Sequence, residues 1–173
     1  MSQQAPGKGV GRVFMIVAWC AGLYLATQFF GRWEQRQENP NTEVTSQQGE
    51  GYIEVKLLGN AQGHFVASGR INNVPVEFLL DTGATDVAVP LDLARQLALP
   101  KGLPVTLSTA NGRTQGYQTR IDRLQLGAIV LRDVRAVAAP GLDGEQVLLG
   151  MSALNKLEFT QRGGTMLLRQ TTN

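Results

Sequence analysis

Phe78-Leu79-Leu80-Asp81-Thr82-Gly83-Ala84-Thr85 places an acidic residue at the end of an apolar run, with a hydroxyl residue and a glycine directly behind it. Far downstream stands Val147-Leu148-Leu149-Gly150. Asp, Thr and Gly are ordinary turn formers, and by itself the triplet is more often a turn than a site. Its flanks shift the weight. Val74 to Leu80 reads as a buried strand entering the loop, Asp86 to Val89 reads as a strand leaving it, and the apolar-apolar-Gly follows at a fitting distance. A carboxyl presented in this way is a candidate half of an acid–base pair. In such a pair two carboxylates share one proton, so that one draws a proton from a water while the other, still protonated, hydrogen-bonds the group under attack. The sequence holds no second Asp-Thr-Gly or Asp-Ser-Gly. A twofold axis would supply the partner, because a C2 dimer sets the same patch of each subunit against its copy and an Asp81 near the axis would face its own mate.

The neighbours have chemical roles in that arrangement. The Thr82 hydroxyl can reach across the axis to the opposite backbone, and Gly83 lets backbone approach closely. On the Asp81-Thr82-Gly83-Ala84 core and the Leu148-Leu149-Gly150-Met151 segment, the chain resembles the retropepsin-like aspartic proteases. It is most like the small membrane-anchored bacterial members that carry a single protease unit, and the likeness runs over roughly residues 52 to 169. The resemblance implies a homodimer with Asp81 as the catalytic residue of each subunit, and Thr82, Gly83 and Ala84 as the active-site loop. It further implies that Leu148, Leu149 and Gly150 brace that loop, and that no metal or cofactor takes part.

The expected fold is all-β, a retropepsin-like closed β fold with one or two short helices, preceded by a single N-terminal transmembrane helix. The chain has 173 residues and a hydrophobic fraction of 43%, room for one domain plus extra segments. The net charge of +2 arises after residue 51, where 12 Lys and Arg face 10 Asp and Glu, so no strongly basic surface points to nucleic acid. Residues 1–12 form a short N-terminal segment.

Val13 to Phe30 is free of charge for 18 residues, a helical length of roughly 27 Å that nearly matches a hydrocarbon core. It reads as a transmembrane anchor over 13–30, with Trp33 where an interfacial residue belongs. A cleaved signal peptide is the rival reading, and a buried core helix the third. Small residues spaced for cleavage are missing after the run, and Cys20 follows Trp19, too bulky for a lipoprotein-type processing site. Orientation is nearly a tie on basic residues, with Lys8 and Arg12 on one side and Arg32 and Arg36 on the other. The resemblance implies a bacterial inner-membrane protein with a cytoplasmic N-terminus and a periplasmic protease domain. Cys20 is the only cysteine and lies in the span, so cysteine usage says nothing of the compartment.

Residues 31–51 are rich in Gln, Asn, Glu, Ser and Thr and read as a flexible polar linker, spanning on the order of 25 Å as a coil. The protease domain is expected over 52–173. Short alternating strands are predicted at 52–58, 63–71 and 74–80, separated by Gly59-Asn60 and Asn72-Asn73. A short helix is predicted over 90–99, closed by Pro100. Later strands fall at 104–110, 113–126 and 129–138, a helical turn near 151–157, and a closing hairpin around Gly163-Gly164. Asn111-Gly112 marks a tight hairpin, and its order in the chain matches the family's flap, formed here by Ala110, Asn111, Gly112 and Arg113. Such a flap closes over the substrate and excludes water.

One histidine, His64, and no cysteine outside the span leave zinc chemistry without a ligand cluster, and a serine triad would need His64 beside an unmarked serine. Asp86, Asp122, Asp133 and Asp143 read as solvated charges. The leading reading is thus a membrane-anchored aspartic endopeptidase acting on peptide or protein substrates bound in extended conformation. Its alternative is a non-catalytic binding or dimerisation module with the same fold. A third is a tethered structural domain in which Asp81 only caps a turn.

Overall fold

The computed structural model describes residues 7–109, 112–142 and 146–172. The chain divides into two units, Met1–Gln37 and Glu38–Asn173. The described part of the first unit is helical. Helix α1 (Gly7–Glu38) runs for 32 residues and contains Gly11–Gly31, 21 residues with a mean hydropathy of 1.8. By length and composition this helix is able to cross a membrane. None of that stretch is buried, which removes the reading of it as a core helix.

The second unit is almost wholly β. Strands β1 (Ser46–Gly49), β2 (Tyr52–Leu58), β3 (Phe65–Ile71), β4 (Val74–Leu80) and β5 (Val87–Pro90) lead into the short helix α2 (Leu91–Gln96). Strands β6 (Pro104–Thr109), β7 (Gly112–Leu126), β8 (Ile129–Ala139) and β9 (Gln146–Leu149) follow, then the single turn α3 (Met151–Leu154) and the hairpin of β10 (Glu158–Arg162) and β11 (Thr165–Thr171). The sequence dictates the strands through alternation of period two. In β2, Val55 and Leu57 are fully buried while Lys56 and Leu58 between and beyond them are exposed. In β4 the inward residues are Val76, Phe78 and Leu80.

Seven strands form one sheet in the order β3-β4-β9-β5-β8-β7-β6, and β3 also pairs with β7, which closes the sheet on itself. The other sheet has the order β1-β2-β11-β10. Closure demands Gly69: a Cβ there would run into the Gln125 carbonyl and the Phe78 ring. The Asn72-Asn73 turn behaves as its sequence predicts, both residues taking positive φ of 47° and 70°. Those are the dihedrals that a two-residue hairpin needs, and asparagine tolerates them. Side chains from both sheets, including Val55, Leu57, Leu168, Phe78, Leu124 and Val147, form one buried core. The expected all-β closed fold with short helices is therefore the observed one.

Two expectations are corrected. The residues expected as a linker over 31–51 are not a tether throughout. Helix α1 continues to Glu38, and Asn39 and Asn41 are buried. The Asn41 side chain donates to the carbonyls of Leu58 and Val66, at 2.8 and 2.7 Å, and accepts from the Leu58 N–H at 2.8 Å. Asn39 donates to Ser68 Oγ and to the Glu77 carboxylate. Ser46–Gly49 then adds β1 to the edge of β2. Polar composition signalled solvation, but these amides satisfy buried backbone instead. The helix predicted over 90–99 is also shorter. Ala98 turns left-handed at φ 49°, and the Leu99 and Ala98 N–H groups return to the carbonyls of Ala94 and Arg95. This double closure ends the helix before Pro100 is reached.

Candidate active site

Asp81 stands one residue beyond β4. That strand runs parallel to β9, with Leu79 opposite Leu148 and Leu80 opposite Leu149, and β5 lies on the other side of β9, with Ala88 opposite Leu148. The two arms of the Asp81 loop are thus splayed by a third strand between them. The Asp81 N–H donates to the Leu149 carbonyl at 3.2 Å. Its own carbonyl accepts from the Ala84 N–H at 3.2 Å, closing the turn. One carboxylate oxygen, Oδ1, accepts the Gly83 N–H at 2.8 Å. A Cβ at position 83 would sit 3.1 Å from that oxygen, so glycine keeps the carboxylate uncrowded. Asp81 is half-buried, and Thr82 and Gly83 are exposed at the loop's tip.

The loop is clamped from behind by the segment after β9. Met151 N–H donates to the Ala84 carbonyl at 2.8 Å, and Ser152 N–H to the Thr85 carbonyl at 2.9 Å. Gly150 permits this approach, because a Cβ on it would collide with the carbonyls of Asp86 and Ala84. Leu149 is buried, and with Leu148 it provides the strand on which both arms rest.

Two members of this clamp are not foreseen from the sequence. The Ser152 hydroxyl accepts from the Val87 N–H at 2.9 Å and donates to the Arg135 carbonyl at 2.7 Å, tying the outgoing arm of the loop to β8. Asp86 is not a solvated charge: its carboxylate pairs with Arg135 Nε at 2.6 Å and its side chain is 24% exposed. Asp133 pairs with Arg120 on the surface, Asp122 is exposed, and Asp143 lies outside the described residues. His64 is exposed in the turn before β3.

The hairpin read as a flap is formed by β6 and β7, with Ser108 opposite Arg113 and Thr109 opposite Gly112. Gly112 and Arg113 are exposed, while the tip residues Ala110 and Asn111 lie outside the described residues. At the base of this hairpin Tyr117 and Lys101, whose Nζ lies 5.5 Å from the ring centroid, line an open cavity against α2. The structure therefore brings Asp81, Thr82, Gly83 and Ala84 together with Leu148, Leu149 and Gly150, and carries Gly112 and Arg113 on a separate hairpin.

A closed β domain whose single Asp-Thr-Gly loop is slung between two strands and held by an apolar-apolar-Gly segment defines the retropepsin-like class. Residues 67–156, more than half of the chain, match the family described as "gag-polyprotein putative aspartyl protease", and the chain belongs to this retropepsin-like aspartic protease family. The crystal structure of a retropepsin-like aspartic protease from Rickettsia conorii shares the fold, with a TM-score of 0.60 over 75% of this chain and 97% of that one, at 24% identity. An uncharacterised protein from the cobV 5′ region of a Sinorhizobium species is 36% identical over 115 residues, 65% of this chain and 49% of that protein. An uncharacterised protein of Rickettsia prowazekii (strain Madrid E) is 29% identical over 108 residues, 61% of this chain and 46% of that protein. The chain spans about half the length of these curated relatives.

Proposed function

We propose that the protein is an aspartic endopeptidase that works as a homodimer, each subunit giving one Asp81 to a shared pair. The observation that carries this reading is the Asp81 loop itself. Its carboxylate is presented at a strand end, oriented by the Gly83 N–H, and its backbone is fixed by Leu149, Met151 and Ser152. In the proposed reaction one carboxylate takes a proton from a water, whose oxygen attacks the scissile carbonyl. The protonated partner donates to the carbonyl oxygen, and a tetrahedral diol forms. Proton transfer to the amide nitrogen then lets the C–N bond break, leaving a carboxylic acid and an amine. An extended peptide suits the cleft, since backbone on both sides offers strand-like hydrogen bonds. The flap hairpin, from Ser108–Thr109 to Gly112–Arg113, would close over it.

We place the domain at a membrane through Gly11–Gly31, with the protease unit on the periplasmic side of a bacterial inner membrane. The length and apolarity of that stretch support a span, and the bacterial relatives are in keeping with the setting. Asp81→Asn tests the activity most simply. Asn keeps the shape but accepts no proton from water, so hydrolysis of an unfolded protein substrate should fall ~100-fold or more, with the circular dichroism spectrum unchanged. Undiminished hydrolysis by the purified variant would overturn the assignment.

A further inference from the structure

The near balance of charge after residue 51, 12 Lys and Arg against 10 Asp and Glu, conceals a local excess. Strands β7 and β8 set two pairs of arginines directly across from each other, Arg120 opposite Arg135 and Arg123 opposite Arg132. Like charges that face each other across a strand pair repel and are destabilising. The first pair is neutralised, Arg120 by Asp133 and Arg135 by Asp86. The second is not. Among the described residues neither Arg123 nor Arg132 forms an ion pair with a carboxylate.

Leu124 and Leu131, the next pair along, are buried, so Arg123 and Arg132 stand on the outer face of the sheet. Arg70 joins them from the other side of β7. It is exposed and opposite Gln125, while its neighbour Ile71, opposite Leu124, is buried. Three adjacent strands, β3, β7 and β8, thus bring three arginines onto one face. Arg123 is the middle one. It donates to the Gln125 amide oxygen at 3.3 Å, and its Nε is buried without a hydrogen-bond partner. The fold therefore supplies this guanidinium with a neutral acceptor and no anion, although planar oxyanion recognition is what a guanidinium does best. Asp122, beside Arg123, and Glu43 are exposed, and neither pairs with these arginines.

The same face adjoins the chain that arrives from α1. A hollow beside Arg70 is lined by Thr42, Val44, Gln125 and Gly127, and Thr42 and Val44 follow the end of α1 by only a few positions. Helix α1 holds the stretch able to cross a membrane, so lipid is the source of anions that the chain keeps at hand. We propose that Arg70, Arg123 and Arg132 form a docking face for the phosphate groups of anionic lipids, by which the β unit rests on the membrane that its own anchor spans. The inference rests on the proposed span and not on the protease chemistry. Basic residues are drawn to anionic headgroups over a Debye length, about 10 Å at 0.1 M salt. The consequence for the candidate site lies in β7, which starts at the flap with Gly112 and carries Arg123 towards its other end. The strand between them spans up to roughly 36 Å. Docking by the arginines keeps the flap away from lipid, and substrates reach the cleft from the aqueous side.

The test uses the full chain reconstituted into vesicles, with Cys20→Ser removing the only cysteine. A fluorophore is placed on Ala128→Cys, exposed in the turn beside Gly127, or on Thr106→Cys, exposed on β6 opposite Gln115 at the flap end of β7. Quenching by lipid that carries a nitroxide on its headgroup reads contact with the surface. In phosphatidylcholine vesicles with about 30% phosphatidylglycerol, the label at 128 should be quenched about threefold more than the label at 106. The difference should vanish in pure phosphatidylcholine or at about 0.5 M salt. Arg70→Gln and Arg132→Gln, both at exposed positions, should each weaken docking about fivefold, and Arg132→Lys should preserve it. Equal quenching at 128 and 106, or quenching at 128 that ignores phosphatidylglycerol and the two arginines, overturns the proposal. A chain that does not float with pure phosphatidylcholine vesicles would count against the span. Its binding to phosphatidylglycerol vesicles, lost when Arg70→Gln and Arg132→Gln are combined, would still support the docking face, and the absence of that binding would overturn it. Peptidase activity enters none of these readouts, so their failure leaves the reading of Asp81 untouched.

Discussion

Ser152 shows how much of the site's geometry rests on groups that do no chemistry. Its one hydroxyl satisfies the Val87 N–H and the Arg135 carbonyl at once, so removing it leaves two backbone groups short of a partner. Ser152→Ala should cost about 1 to 2 kcal/mol of stability, read as a lower urea midpoint with an unchanged slope. Because Val87 opens the arm that leaves the Asp81 loop, the same variant should lower kcat more than it raises KM for peptide hydrolysis. An unchanged midpoint and kcat would mean that the loop is held without it. The loop that carries Asp81 and the strand behind it are legible in the sequence, since an apolar strand ending on Asp-Thr-Gly and a distant Leu-Leu-Gly are local patterns. Ser152 is not, because a serine announces no partner 65 residues away. Asp86 reads as a solvated charge for the same reason: its cation, Arg135, lies 49 residues further along the chain.

At the scale of elements, strands were legible and polar connections were not. Alternation in Tyr52–Leu58 and Val74–Leu80 fixes which residues face inward, and Asn72-Asn73 marks its own turn. Nothing local distinguishes an asparagine that faces water from one that plugs a gap in a sheet, so the sequence around Asn39 and Asn41 reads as linker. Asn41 instead completes hydrogen bonds to Leu58 and Val66, and Asn39 braces it by accepting the Asn41 N–H at 2.9 Å. Asn41→Ala strands three backbone groups and should destabilise the β unit by about 2 to 3 kcal/mol. Thermal unfolding of the full chain in detergent checks it; a shift in midpoint below one degree would show that this segment is dispensable. The folded β unit thus starts at Glu38–Asn39 rather than at Tyr52.

For the molecule as a whole the central claim is that one chain holds half of a site, with Asp81 supplied twice by symmetry. Mixing wild-type chains with Asp81→Asn chains tests it most directly. The two are combined in equal amounts at fixed total concentration, allowed to exchange, and assayed on one peptide. If both carboxylates are needed, only pairs of two wild-type chains are active, and random assortment leaves about one quarter of the wild-type activity. Activity of about one half, the value for chains that act independently, would contradict the shared site.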